Sequence, residues 1–416
     1  MDTDATLPRP KLDEFLRVSL IERERDGLLR RLRRVDSRQG SRVLHQGREL
    51  VNVASNDYLG LAMHPAVAEA AARAAHDWGG GSAASRLVSG SLAIHHQLEE
   101  AIAPWQGTEA ALAFTSGFAA ASGTIPALVG PGDVILLDRL AHACCIDAAK
   151  ASGAAWRPFQ HNDPGHLGQL LSKVDSRGSL RRPRVLVVTE SVFSMDGDLA
   201  PLGEIVALKE RHGAWLMLDE AHATGLFGPS RAGLAEHLGL SSNIDVHLGT
   251  LGKAVGSSGG FVAGSRALVE WLVNSARSFV FSTAPSPAAS AAAFEGIRIL
   301  RAAEGAQRSA RLWHSIHQLA SILPSLFPSP ASAILPWILG DDARAIEMAS
   351  ALMESGFLAP AIRYPTVPRH TARIRVALSS AHSSNDVRML AEAIASAGNV
   401  PMATQPAEPQ PIEAKH

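Results

Sequence analysis

Five short apolar runs constrain this chain more than any other feature. They are Val134–Leu137, Val185–Thr189, Trp215–Leu218, Val246–Leu248 and Gly260–Val262. Each has the length of a buried strand, and helical segments such as Pro201–His212 separate most of them. Ala111–Thr115 is also strand-like and runs into Ser116-Gly117-Phe118, where a small-residue helix begins. Strands alternating with helices predict βαβ units, an α/β fold and a mainly parallel sheet. Ligands of such sheets bind beyond the carboxyl ends of the strands. His142, Ser191, Asp219 and Lys253 all fall there.

The flanking stretches read differently. Apolar residues recur at helical spacing from Leu12 to Val35, among many arginines, which predicts a solvated helix face with room for one arginine to reach an anionic substrate. Arg42 to Val53 predicts a hairpin turning at Gln46-Gly47. Pro65–Trp78 and His95–Trp105 predict helices, with a flexible polar loop from Gly79 to Arg86 between them. After Ser282-Thr283-Ala284-Pro285 the pattern changes to one or two long helices over 286–321. Strand-like Ser332–Leu339, Phe357–Arg363 and Ala372–Leu378 follow. The expected organisation is an N-terminal helix and hairpin segment (1–53), a large domain (54–290), a small α+β domain (291–400) and a disordered tail (401–416).

Composition excludes several functions. Net charge is −1, so no global field favours nucleic acid, and no aromatic residues interleave with the N-terminal arginines. No apolar run approaches the length of a membrane span. The N-terminus lacks a signal-peptide core, and its early acidic residues argue against a transit peptide. Cys144 and Cys145 are adjacent and have no other partner, which suits reduced thiols in the cytoplasm. No histidine or cysteine spacing suggests a metal site.

The chemistry centres on Leu248-Gly249-Thr250-Leu251-Gly252-Lys253-Ala254-Val255-Gly256. A lysine among small apolar residues is poorly solvated, so its free amine is easier to reach. A free amine can condense with a carbonyl, as pyridoxal 5′-phosphate requires, and that cofactor also needs an acid for its pyridine nitrogen. Asp219-Glu220-Ala221-His222 supplies a carboxylate and an imidazole at a strand end. The plainer alternative is a surface lysine on a glycine-rich turn, with Asp219 capping a helix. Gly256-Ser257-Ser258-Gly259-Gly260 fits the serine-hydrolase pattern G-x-S-x-G. That nucleophile needs a strand before it and a helix after it, whereas Phe261-Val262-Ala263 reads as a strand.

Several stretches jointly carry a resemblance. They are Ser55–Leu61 (SNDYLGL), Ser85–Gly90 (SRLVSG), Phe114–Phe118 (FTSGF), Thr189–Asp198 (TESVFSMDGD), Asp219–Phe227 (DEAHATGLF), Gly249–Gly256 (GTLGKAVG) and Phe281–Pro285 (FSTAP). With them the chain resembles the α-oxoamine synthases, enzymes of the aspartate-aminotransferase fold (fold type I) that use pyridoxal phosphate. The resemblance implies that Lys253 holds the cofactor and serves as base, that Asp219 pairs with the pyridine nitrogen, and that His142 stacks on the ring. It places Ser191 and His222 at the ring's phenolic oxygen. Gly117, Phe118 and Thr250 lie around the cofactor and its phosphate, with Thr283 reaching in from the second subunit of a homodimer. Arg375 would bind the amino acid's carboxylate, and Arg30 and Thr366 the acyl substrate. The implied reaction is decarboxylative condensation of an amino acid with an acyl thioester, carried by coenzyme A or an acyl carrier protein. Ser85–Gly90, Thr366 within Pro365–Pro368 and Gly27-Leu28-Leu29-Arg30 favour alanine and a pimeloyl thioester, as in biotin biosynthesis.

Three positions depart from the family pattern. His370 replaces a glycine, Tyr364 replaces a proline, and Cys144 stands where serine is usual. The first two bear on substrate identity more than on cofactor use. Rival readings are another member of the family, using glycine or serine with a different thioester, and a non-catalytic partner subunit of the same fold.

Overall fold

A computed structural model of the chain describes residues 11–176 and 182–403. The tail expected over 401–416 therefore lies almost wholly outside the described residues. Strands β1 (Arg42–His45) and β2 (Arg48–Asn52) form the expected hairpin. Gln46 and Gly47 both have positive φ (50° and 75°), the backbone that a two-residue turn between twisted strands requires.

The central sheet contains β3 (Ala110–Phe114), β4 (Val134–Asp138), β5 (Ala155–Phe159), β6 (Val185–Glu190), β7 (Trp215–Asp219), β8 (Val246–Thr250) and β9 (Gly260–Gly264). Its order is β3-β9-β8-β7-β6-β4-β5. Only β9 runs antiparallel to its neighbours, β3 and β8. Every residue of β6 is buried, because helices cover both faces of the sheet. Leu186, Val188, Met217 and Leu248 pack into one core, and Val185, Val187, Leu216 and Leu218 into another. Side chains that alternate across a strand produce this division.

Beyond residue 330, β10 (Ile334–Gly340), β12 (Ala361–Ile362) and β13 (Ala372–Ala377) form an antiparallel sheet. The short strand β11 (Phe357–Leu358) instead pairs in parallel with β2, joining the N-terminal hairpin to the C-terminal part of the chain. Two helices, Pro287–Arg301 and Ala303–Ile322, occupy the predicted helical region.

Three expectations are corrected. The N-terminal helix spans only Leu12–Arg25. Gly27 takes φ +68°, and the N–H groups of Leu28 and Leu29 both return to the Arg23 carbonyl, a left-handed closure that overrides the continuing apolar period. Strand β5 is absent from the sequence reading because Pro158 and its exposed residues mask it; both suit a sheet edge. The loop expected to be flexible before Arg86 is tied down. Ser82 Oγ donates to the Pro285 carbonyl at 2.6 Å, and buried Arg86 grips Glu99 with both Nη atoms at 2.8 and 2.9 Å.

Candidate active site

The candidate residues gather where β6, β7 and β8 end. Asp219 is the last residue of β7 and pairs in register with Glu190, the last of β6. Thr250 closes β8, and Lys253 follows in the turn before β9. His142 heads the helix Ala143–Ala151, four residues beyond β4. The parallel topology thus brings together groups far apart in sequence.

Lys253 is the hub. Its Nζ lies 2.7 Å from His222 Nε2, and His222 Nδ1 lies 2.7 Å from the Tyr58 hydroxyl. Tyr58 donates to Asn56 Oδ1 at 3.1 Å, while Arg375 Nη2 donates to both Asn56 Oδ1 (3.0 Å) and Tyr58 Oη (3.2 Å). With Lys253 charged, the contacts are all satisfied when Lys253 donates to His222 Nε2, Nδ1–H donates to Tyr58, and Tyr58 donates to Asn56. Burial holds the His222 imidazole well below its usual range, with the Lys253 charge adding to the effect, so the ring is neutral. Burial also lowers Lys253 to about 8, although Asp219 and Glu190 oppose the shift. The free amine is therefore accessible near neutral pH.

Burial raises the Asp219 carboxyl, against the pull of Lys253 and the Ala221 N–H that its Oδ1 accepts at 2.9 Å. Glu190, buried beside it, is pushed up to about 8 by desolvation and then by Asp219. Its Oε2 accepts from the Ser194 N–H at 3.3 Å, while the buried Oε1 has no partner among the described residues. Ser191 turns its hydroxyl toward the Asp219 carbonyl at 3.3 Å. His142 Nδ1 sits 2.9 Å from Cys144 Sγ, a contact that raises its pKa against burial.

A helix N-terminus adjoins this cluster. The helix Gly117–Leu128 starts beside Thr250, and a Cβ on Gly117 would meet the Thr250 side chain at 3.8 Å. Gly260 packs so closely that its own Cβ would come within 2.5 Å of the Gly117 nitrogen. Ser116 caps the helix through the Ala119 N–H, leaving the N–H groups of Gly117 and Phe118 at the helix head without an intrahelical acceptor. A helix N-terminus, a reachable amine and a carboxylate at one strand edge are the donor set that pyridoxal phosphate needs.

Arg375 lies on β13, nearly buried, with its Nε donating to the Ser194 carbonyl at 2.6 Å. Arg30 and Thr366, 336 positions apart, meet at 3.1 Å between Nη2 and Oγ1. Thr283 takes no part in this hydrogen-bond network among the described residues. It bridges to Ser85, and among the described residues no hydrogen bond joins it to Lys253, Thr250 or Gly117. Asn56, Tyr58 and Glu190 went unassigned in the sequence reading, although each lies inside a recognised stretch. Tyr58 and Asn56 stand in SNDYLGL, where neither periodicity nor charge marks them.

The family model for class I and II aminotransferases matches residues 48–394. The chain is 46% identical over 375 residues to the 8-amino-7-oxononanoate synthase of Geobacter sulfurreducens, covering 89% of this chain and 95% of that protein. It is 47% identical over 367 residues to the enzyme of the same name from Anaeromyxobacter dehalogenans, covering 87% and 89%. Among solved structures, Sphingomonas wittichii serine palmitoyltransferase superposes with a TM-score of 0.87 at 30% identity, covering 94% of this chain and all of that one. The 8-amino-7-oxononanoate synthase of Francisella tularensis superposes at 0.71 with 25% identity, covering 84% and 98%. The chain belongs to the class I and II aminotransferase family, within its α-oxoamine synthase branch.

Proposed function

We propose that this chain catalyses the 8-amino-7-oxononanoate synthase reaction. L-Alanine and a pimeloyl thioester combine to give 8-amino-7-oxononanoate, carbon dioxide and the free thiol. The observation that carries the reading is Lys253, half-buried beside Asp219 and hydrogen-bonded to neutral His222. The names of the relatives at 46% and 47% identity support the same choice.

When bound, pyridoxal phosphate supplies an electron sink for a carbanion at the amino acid's α-carbon. Lys253 Nζ would hold it covalently and, when free, would take the α-proton of alanine. The Asp219 carboxylate would keep a proton on the ring nitrogen, and His142 would lie against the ring. The Gly117 and Phe118 N–H groups, with Thr250, would hold the phosphate. Ser191 and His222 would serve the ring's oxygen. Arg375 would bind the alanine carboxylate through Nη1, since its Nε is held by Ser194 O and its Nη2 by Asn56 and Tyr58. Arg30 and Thr366 meet the far end of the acyl chain. Holding two substrates over one site supplies much of the rate.

The active unit is a homodimer in which Thr283 of a second copy completes the phosphate site. Among the described residues of one chain Thr283 has no hydrogen bond to Thr250 or Gly117, which supports that arrangement. No helix among the described residues is long and apolar enough to cross a membrane, which suits a cytoplasmic enzyme.

Product analysis tests the reading. Purified protein with pyridoxal phosphate, alanine and pimeloyl-coenzyme A or pimeloyl-acyl carrier protein should release 8-amino-7-oxononanoate. Turnover only with glycine or serine, or with other acyl thioesters, would shift the assignment within the branch. No turnover with any pair would favour a non-catalytic partner subunit.

A further inference from the structure

His161 belongs to no assigned role, yet it sits between two carboxylates. Its Nδ1 lies 3.0 Å from Asp138 Oδ1 and its Nε2 lies 2.9 Å from Asp198 Oδ2. With an acceptor at each ring nitrogen, the imidazole carries both protons. Burial opposes that charge, but the hydrogen bonds to Asp138 and Asp198 outweigh it and push the group up to about 10. The edge of Phe193 packs against the ring at 4.4 Å between centroids. Asn162, at φ +51°, repeats the link: its backbone N–H reaches Asp138 Oδ2 at 3.0 Å and its Nδ2 reaches Asp198 Oδ2 at 2.8 Å.

The two carboxylates belong to different parts of the site. Asp138 ends β4, is fully buried, and also accepts the Leu140 N–H at 2.8 Å. It therefore sets the turn that leads to His142. Asp198 belongs to a tight loop over 191–199, closed at its base by the Val192–Leu199 bridge. The opposite side of that loop holds the arginines of β13. Ser194 O accepts Arg375 Nε at 2.6 Å, and Arg373 Nη1 binds Met195 O at 3.0 Å and Asp196 Oδ1 at 2.6 Å. Ser332 Oγ donates to Gly197 O at 2.7 Å. Gly197 has φ +71°, and a Cβ there would meet the Ile334 carbonyl oxygen at 2.2 Å, so no other residue permits this docking.

We propose that His161 is a positioning residue that joins the His142 turn to the 191–199 loop and thereby fixes Arg375, the amino-acid carboxylate site, relative to the cofactor ring. This rests on the reaction proposed above. The loop touches Arg375 through a backbone carbonyl, so a shift of the loop moves the guanidinium. Nothing in the bridge reaches Arg30 or Thr366. Loosening it should therefore affect the amino acid and spare the acyl chain.

The test uses the holoenzyme and the variants His161→Gln, His161→Ala and Asp198→Asn. Glutamine keeps a hydrogen-bonding side chain without the charge, so it remains informative if the alanine variant fails to fold. The His161→Gln enzyme should raise the KM for alanine by about tenfold, the low end for losing a hydrogen bond to a charged group. The KM for the acyl thioester and the absorption spectrum of the bound cofactor should stay as in wild type. Combining His161→Gln with Arg375→Lys should give less than the sum of the two single losses, because both act through one guanidinium. An unchanged alanine KM in folded His161→Gln, strict additivity with Arg375→Lys, or equal changes in both KM values would overturn the proposal. Wild-type protein that shows no spectral response to alanine would instead count against the reaction itself.

Discussion

The two arginines proposed for the two ends of the substrate space are built differently. Arg375 is nearly buried and holds Ser194 O, Asn56 Oδ1 and the Tyr58 hydroxyl. Arg30 is exposed and has one hydrogen bond, to Thr366. The amino-acid end is thus preorganised, with each guanidinium contact set before any ligand arrives. The acyl end is adaptable. Two of the three departures from the family pattern lie where little packing holds them: Tyr364 is exposed with Arg369 stacked on its ring at 4.3 Å, and His370 sits in a turn at φ +64°. The third, Cys144, is buried at the preorganised end, where every residue linking Lys253 to Arg375 is held by at least one neighbour.

The sharpest way to break this comparison is at Lys253. Lys253→Ala should abolish turnover, and the free end of His222 should not replace it, because an imidazole has no primary amine to condense with a carbonyl and burial makes it a weak base. Borohydride reduction of wild-type holoenzyme followed by peptide mapping should put the label on Lys253. Label on another lysine would end the assignment of the preorganised end as the cofactor site.

Asp219→Asn comes next in size. Asparagine keeps the shape and can still accept the Ala221 N–H, so the fold should hold. It cannot keep the ring nitrogen protonated. Exchange of alanine's α-proton into deuterated buffer should fall by on the order of a hundredfold, the scale for losing one preorganised electrostatic group. If Asp219 were merely a cap, asparagine would serve nearly as well and exchange would stay near wild type. NMR of the exchange, beside a thermal melt, separates the two.

Much of the preorganised end was legible in the sequence, for a physical reason. Buried parallel strands read as apolar runs, and the polar residue that ends such a run is forced to the ligand edge. Asp219 and Ser191 were read this way, whereas Thr250 was placed only through the resemblance. Residues whose role depends on a distant partner left no such mark. Tyr58 acts through His222, 164 positions away, and His161 through Asp198. Arg30 and Thr366 were paired only through the resemblance to a family, since no periodicity links a residue past Gly27 to the turn before β13. The N-terminal helix shows the opposite failure: its apolar period continued, but one left-handed glycine ended it.

At the adaptable end the effect should be smaller and confined to one substrate. Arg30→Ala should raise the KM for the pimeloyl thioester by about tenfold, the low end for a lost hydrogen bond to a charged group. It should leave the KM for alanine and the α-proton exchange rate unchanged. Steady-state kinetics with each substrate varied in turn would show it. A parallel rise in both KM values would mean that the two ends are coupled and that the comparison fails.

The smallest effect on turnover, and the most specific chemical signature, is expected at Cys144. It belongs to the preorganised end but departs from the family's serine. The Cys145 thiol stabilises a Cys144 thiolate first, His142 adds to this, and together they overcome burial to lower Cys144 to about 6. Its neighbour moves the other way: Cys145 is raised by its hydrogen bond to Cys144, because only one of two touching thiols can ionise readily. The sign follows directly. A depressed thiol pKa means that the reactive thiolate is already present at neutral pH. Alkylation of cofactor-free protein by iodoacetamide should therefore rise with pH through about 6 and level off, where an ordinary thiol would still be rising near 8.5. Bound cofactor should slow it, because the thiol contacts the His142 ring that covers the cofactor. Cys144→Ser should remove this reactive site while lowering turnover only slightly, since a hydroxyl can still hydrogen-bond to His142 Nδ1. A rate that climbs only above pH 8, or one unchanged by Cys144→Ser, would show that the thiol is an inert filler.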